Sequence, residues 1–278
     1  MSVRLPNEHG AWGMLAVPLV CAVAVAGVPS WDALLRLLLV TVAVLGLFLL
    51  RASLEAARRW RAIFEPAHLL LSAATLLAGG LLVLAYRQLE LLALASVAGI
   101  LYLLQHRLAT QHRSNRLSAQ EGERYLEKRS LLAELVGVVV LTLSAPAAWI
   151  AVRGALTATA AELWALNLLF FLGGVLYVKY RVRGLQAHRD FAALRQRLGF
   201  AWPVFLYHLA LAAFLLCWVA LESRNAALLL AFTPGILRAS QLAFQLGERF
   251  PIRRLGWTEV LHSAVFAALL VLAFRMGA

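Results

Sequence analysis

Apolar runs close to the length of a membrane-crossing helix recur from one end of this chain to the other, and that recurrence leaves few folds open. A spanning helix needs about 20 largely apolar residues. Nine stretches approach or meet that length: 11–28, 33–50, 68–86, 89–106, 131–152, 163–179, 201–221, 226–246 and 258–275. Their periods are helical or uniformly apolar, and no run shows the alternating pattern of a barrel strand. The fold class expected is therefore all-α, a polytopic membrane helical bundle of about nine transmembrane helices. Composition agrees, with 62% hydrophobic residues, 14% charged residues and a mean hydropathy of +0.79. No stretch can build a soluble core of its own, so 1–278 reads as a single transmembrane domain. The first run has only Arg4 before it and no small-residue cleavage site after it, so it is expected to stay as a helix. The eighth run contains Pro234-Gly235 and then Arg238, and is expected to be kinked or broken there. Cys21 and Cys217 each lie inside an apolar run and are expected to be small core residues.

The net charge is +12. A soluble chain so basic would suggest nucleic acid, but here the charge sorts by topology. Arg36, Arg87, Arg153, Arg224 and Arg275 fall on one side of the nine-span arrangement, and the rest of the 26 basic residues fall on the other. The positive-inside rule then makes the N-terminus cytoplasmic and the C-terminus external, in a bacterial cytoplasmic (inner) membrane. The partner expected is the lipid bilayer, not nucleic acid. The outer links are short, so nearly all polar chemistry is expected on the cytoplasmic face.

Six polar groups stand at those cytoplasmic helix ends. Glu8 and His9 precede the first run, with Trp12 one turn inside; Asn7 can cap that helix, and Trp12 can anchor it at the interface. Glu65 and His68 flank Pro66 at the mouth of the third run, an arrangement open to acid/base work. Arg129 sits at the membrane surface before the fifth run, and Glu134 lies about one turn inside it. A carboxylate there costs roughly 2.5–3.5 kcal/mol on insertion scales, so Glu134 should face a partner or a polar cavity. Lys179 and Arg183 share one helical face with Tyr180 beside them, a pairing able to hold an anion. Arg238 follows the Pro-Gly pair, and Glu259 and His262 lie one turn apart at the start of the last run. Glu8, His9, Glu65, His68 and Glu134 are the candidate catalytic groups. Trp12, Arg129, Lys179, Tyr180, Arg183, Arg238 and Glu259 are the candidate substrate-binding groups. No metal site is assigned and no cofactor is identified; phosphate-loop, nucleophile-elbow, zinc and dinucleotide motifs are missing from the sequence.

The ordered set EHGAW with Pro18, RSLLAELVG, LYVKYRVRG, PGILRA and LGWTEVLHSAVF resembles the YwiC-like proteins of bacteria. That resemblance implies a class of integral membrane protein and no particular chemistry. The helix count and the polar 2–3 and 6–7 loops are also similar to the UbiA superfamily of intramembrane prenyltransferases, which implies a prenyl diphosphate held through magnesium by Asp-rich motifs. This chain departs from that pattern: Glu55 and Glu65 stand in one loop without an NDxxD, and Asp190 in the other follows a run of cations.

Three functions are open on these readings. The first is an intramembrane enzyme, a UbiA-like transferase acting on a lipophilic anionic substrate that basic residues hold. The second is a transporter or permease, suggested by the Pro-Gly pair and Glu134. The third is a haem- or metal-linked accessory protein using His9, His68 and His262.

Overall fold

A computed structural model of the chain describes residues 9–56, 66–117, 131–186, 193–221, 226–246 and 251–277, and every regular element in them is helical. In chain order they are α1 (His9–Ala26), α2 (Trp31–Ala56), α3 (Pro66–Gly80) with a π-helical turn at Leu81–Ala85, α4 (Leu89–Leu117), α5 (Leu131–Thr142), α6 (Ser144–Arg153), α7 (Ala158–Gln186), α8 (Leu194–Leu221), α9 (Ala227–Ser240), α10 (Leu242–Gln245) and α11 (Ile252–Met276). Each of the nine expected spans falls on helix. Among the described residues, seven helical segments are long and apolar enough to cross a membrane, the joined α5–α6 segment among them; α1 and α9 are shorter apolar helices. Leu70, Leu76, Leu84 and Leu221 are each more than two-thirds exposed. A water-soluble surface does not carry leucines this densely; a bilayer covers them without cost.

Prolines and glycines place the interruptions. Pro146 has no N–H to offer the carbonyl of Thr142, and its ring crowds that oxygen. The chain accordingly turns at Leu143, between α5 and α6. Pro234 does not break its helix. Helix α9 runs through Pro234-Gly235 to Ser240 and gives way only at Gln241, before α10. Beside the proline, the Thr233 hydroxyl donates to the Leu229 carbonyl at 2.9 Å. The carbonyl that Pro234 leaves without its helical donor is that of Leu230, one residue on. Gly27 and Gly154 take left-handed conformations (φ 67° and 85°) where α1 and α6 end, as helix C-termini favour.

The chain divides into two compact units, Met1–Gly99 with Thr142–Trp164, and Ile100–Leu141 with Ala165–Ala278. In the first, α6 packs on α1 and α2, and α2 packs on α3. Ala145, Ala148, Ile150 and Ala151 of α6 have no exposed surface. Ser144 at the start of α6 donates to the Leu15 carbonyl at 2.7 Å, and Arg153 at its end donates to the Ala26 carbonyl. Start meets middle and end meets end, so α1 and α6 run in the same direction. The Gln88 amide donates to the Ile150 carbonyl at 3.1 Å and ties the α3–α4 turn to the same helix. Gly46 of α2 lies against Thr75 of α3, where a Cβ would stand 2.0 Å from the threonine oxygen. Cys21 is buried in this unit as expected.

In the second unit, α9 packs on α8 and α11, and α10 packs on α8. An apolar cluster gathers Tyr177, Ala201, Val204, Leu242, Leu246 and Leu255. Phe170 stacks on Phe266 with centroids 3.9 Å apart, and Phe232 meets the same ring edge-on at 5.2 Å. Cys217 is exposed, contrary to expectation; the apolar run that contains it turns that face outward, where lipid suits a thiol as well as a core does.

Candidate functional site

The polar groups of the second unit come together around the end of α7. Glu134, in the first turn of α5, accepts a hydrogen bond from the Lys179 ammonium at 2.7 Å. Two residues earlier on α7, Tyr177 donates its hydroxyl to the Gln245 side-chain carbonyl at 2.8 Å. The guanidinium of Arg238, near the end of α9, lies over the Tyr177 ring, 4.1 Å from its centroid. The same guanidinium donates to the Glu259 carboxylate on α11. Residues two apart on a helix point roughly 200° apart. Helix α7 therefore has an ion pair against each of two nearly opposite sides.

Sequence order explains why these ends meet. Consecutive spans alternate in direction, so the start of α5, the end of α7, the end of α9 and the start of α11 share one level. Low dielectric then makes an unpaired charge costly, and opposite charges at that level find one another. The side chains of Lys179 and Glu134 are 9% and 29% exposed, and those of Arg238 and Glu259 11% and 20%. Both pairs are thus largely withdrawn from solvent.

A narrow cleft opens beside Arg238. Its walls include Phe170 and Gly174 of α7, His208 of α8, and Phe232, Gly235 and Arg238 of α9. As it stands the cleft has room for about one water. Two glycines lie on its walls. A Cβ at Gly174 would reach within 3.7 Å of the Glu259 carboxylate, and a Cβ at Gly235 would meet nothing within 4 Å. The Nε of Arg238 is buried without a hydrogen-bond partner among the described residues. His208 is buried midway along α8, and its Nδ1 donates to the Val204 carbonyl at 2.8 Å. Its Nε2 is left as the nitrogen able to exchange a proton. His262 is fixed in the same way by the Thr258 carbonyl at 2.6 Å.

Of the candidates read from the sequence, the structure brings together Glu134 with Lys179 and Arg238 with Glu259. Tyr180 meets Phe200 edge-on at 5.4 Å, and the Arg183 guanidinium lies 5.9 Å from the Tyr180 centroid. In the first unit, Trp12 packs edge-on against Phe48 at 5.0 Å. His68 is buried in the first turn of α3, its Nδ1 without a hydrogen-bond partner among the described residues. Glu8, Glu65, Arg129 and the His9 side chain lie outside the described residues. Of the candidate substrate-binding cations, Lys179 and Arg238 each hold a carboxylate. Among the described residues no group of three or more His, Cys, Asp or Glu stands close enough to hold a metal ion.

Sequence reasoning passed over Tyr177, His208, Gln245, Gly174 and Gly235 as site residues. A signal was present for His208, an ionisable side chain in the middle of an apolar run. Gly235 stood in the Pro234-Gly235 pair beside Arg238; for Gln245 and Gly174 there was no signal, because their part depends on which helices pack together.

Fold and polar core together define a multi-pass helical membrane protein. Residues 5–121 match the family model of YwiC-like proteins, the family that the ordered motifs resemble. The EHGAW motif and Pro18 lie inside the matched stretch; the four later motifs lie beyond it. Comparisons with curated proteins and with solved structures gave no match.

Proposed function

We propose that this membrane protein binds a lipophilic anion at Arg238 and acts on it as an intramembrane transferase. One observation carries the reading: a guanidinium withdrawn from water, with an unpartnered Nε, in a cleft walled by phenylalanines. Such a place suits a charged head with an apolar body, the head at the guanidinium and the body among the rings. His208 Nε2 and the Glu259 carboxylate are the groups able to move a proton there. The positive-inside distribution supports an inner-membrane setting with the cleft at the cytoplasmic level.

The test is purified protein in nanodiscs, incubated with prenyl diphosphates and lipophilic carboxylates together with quinone or haem precursors as acceptors. Product formation that Arg238→Gln lowers by two orders of magnitude is the result expected. Neither product nor binding across the panel overturns the reading. A carrier is the second reading, favoured by two ion pairs that lie within apolar helices on either side of α7. It predicts flux in proteoliposomes, and proton-coupled uptake that Glu134→Gln abolishes.

A further inference from the structure

Arg238 is the cation best placed to receive an anion, yet it already holds one. We infer that the ligand anion enters by displacing the Glu259 carboxylate from Arg238, and that Glu259 takes up one proton as it leaves. The inference rests on the lipophilic-anion reading above and says how that same site is controlled.

The argument is one of charge and space. With Glu259 on Arg238 the pair is neutral and mostly buried. Adding an anion without a proton would leave two negative charges facing one positive charge in a low-dielectric setting, which is strongly disfavoured. If Glu259 is protonated, the balance closes: a carboxylate–guanidinium pair, an anion and a proton become a neutral carboxylic acid and an anion–guanidinium pair. The charge of the cleft does not change. On α7, Lys179 is engaged by Glu134 on another side of the helix. A single head charge, as in a carboxylate, matches the one guanidinium that Glu259 would vacate.

Space points the same way. The cleft holds about one water as it stands, too little for a ligand head beside the resident carboxylate. The head must take the place of the Glu259 carboxylate. Gly174 leaves the α7 surface next to that carboxylate bare, and Gly235 leaves the opposing α9 surface bare. A glycine costs about 1 kcal/mol in a helix interior relative to alanine. Both points have room for more than a hydrogen atom, so neither helix surface crowds the cleft there.

The other titratable or charged groups in this environment are Arg238 on α9, Tyr177 and Arg181 on α7, His208 on α8 and His262 on α11 itself. Gln245 of α10 is neutral. Each histidine retains an Nε2 that could accept the proton in place of Glu259, so the measurement must tell a carboxylic acid from an imidazolium.

Infrared difference spectroscopy does so. The unmodified full chain in nanodiscs is exposed to dodecanoate labelled with carbon-13 at its carboxyl, and Arg238→Gln nanodiscs serve as the blank for lipid partitioning. The expected result is loss of one protein carboxylate band and gain of one protonated-acid carbonyl band as labelled dodecanoate binds. Glu259→Gln, which mimics the neutral acid, should still bind dodecanoate and show neither change. Apparent affinity of the unmodified protein should fall about tenfold per pH unit wherever Glu259 is ionised before binding, and that slope should vanish in Glu259→Gln. Binding of labelled dodecanoate without a new protonated-acid band overturns the exchange and leaves the lipophilic-anion reading standing. No binding above the blank overturns the lipophilic-anion reading for carboxylates, and the exchange with it.

Discussion

Glu134 and Lys179 hold each other at 2.7 Å with most of both side chains out of water. Removing one partner strands the other, and a stranded buried charge costs about 3–5 kcal/mol, more than the pair itself contributes. Glu134→Gln should therefore lower the thermal unfolding midpoint in detergent markedly, whereas Glu134→Gln with Lys179→Met should recover most of the loss. If the double variant is as unstable as the single, the pair is not what sets the cost. Ser144 is a milder case. Its hydroxyl bond to the Leu15 carbonyl is buried, and Ser144→Ala should cost about 1 kcal/mol by the same measurement. At this scale the sequence was half legible. A carboxylate one turn inside an apolar run announces that it needs a partner, and Glu134 has one. Which cation answers depends on the packing of α5 against α7, and no spacing along the chain encodes that.

Helices are the part of this protein most readable in advance, because span length and hydropathy come from the membrane and not from neighbouring elements. Their interruptions are less readable. Pro146 ends α5 and Pro234 does not end α9, although both are prolines inside apolar runs. The two prolines are alike in the sequence, and the structure alone tells their outcomes apart. The contact between α2 and α3 gives this scale its prediction. A methyl at Gly46 would run into the Thr75 oxygen, which is itself bonded to the Leu71 carbonyl at 2.7 Å. Gly46→Ala should force the two helices apart and destabilise the protein by about 1–3 kcal/mol, read as a drop in the unfolding midpoint. Adding Thr75→Ala should restore part of it. A Gly46→Ala protein as stable as the parent would mean that α2 and α3 do not approach so closely.

The molecule as a whole is asymmetric in charge, and the positive-inside rule turns that asymmetry into a prediction of its orientation. In a Cys21→Ala, Cys217→Ala background, Ser223→Cys should react with an impermeant thiol reagent added to intact cells, and Arg58→Cys should react only after the membrane is opened. The reverse pattern would invert the topology. What the sequence anticipated at this scale was a level where polar ends gather. It did not anticipate that the charges there would already be satisfied, which follows from how costly an open charge is once lipid has replaced water. The placement of Tyr177 and Lys179 has a mechanical side. They leave α7 in nearly opposite directions, one toward Arg238 and Gln245, the other toward Glu134. A shaft pinned on two flanks at the same height cannot spin about its own axis without tearing at both pins. Helix α7 is in this sense torsionally locked, and it can turn only when the Lys179–Glu134 pair or the Tyr177 contacts with Gln245 and Arg238 let go.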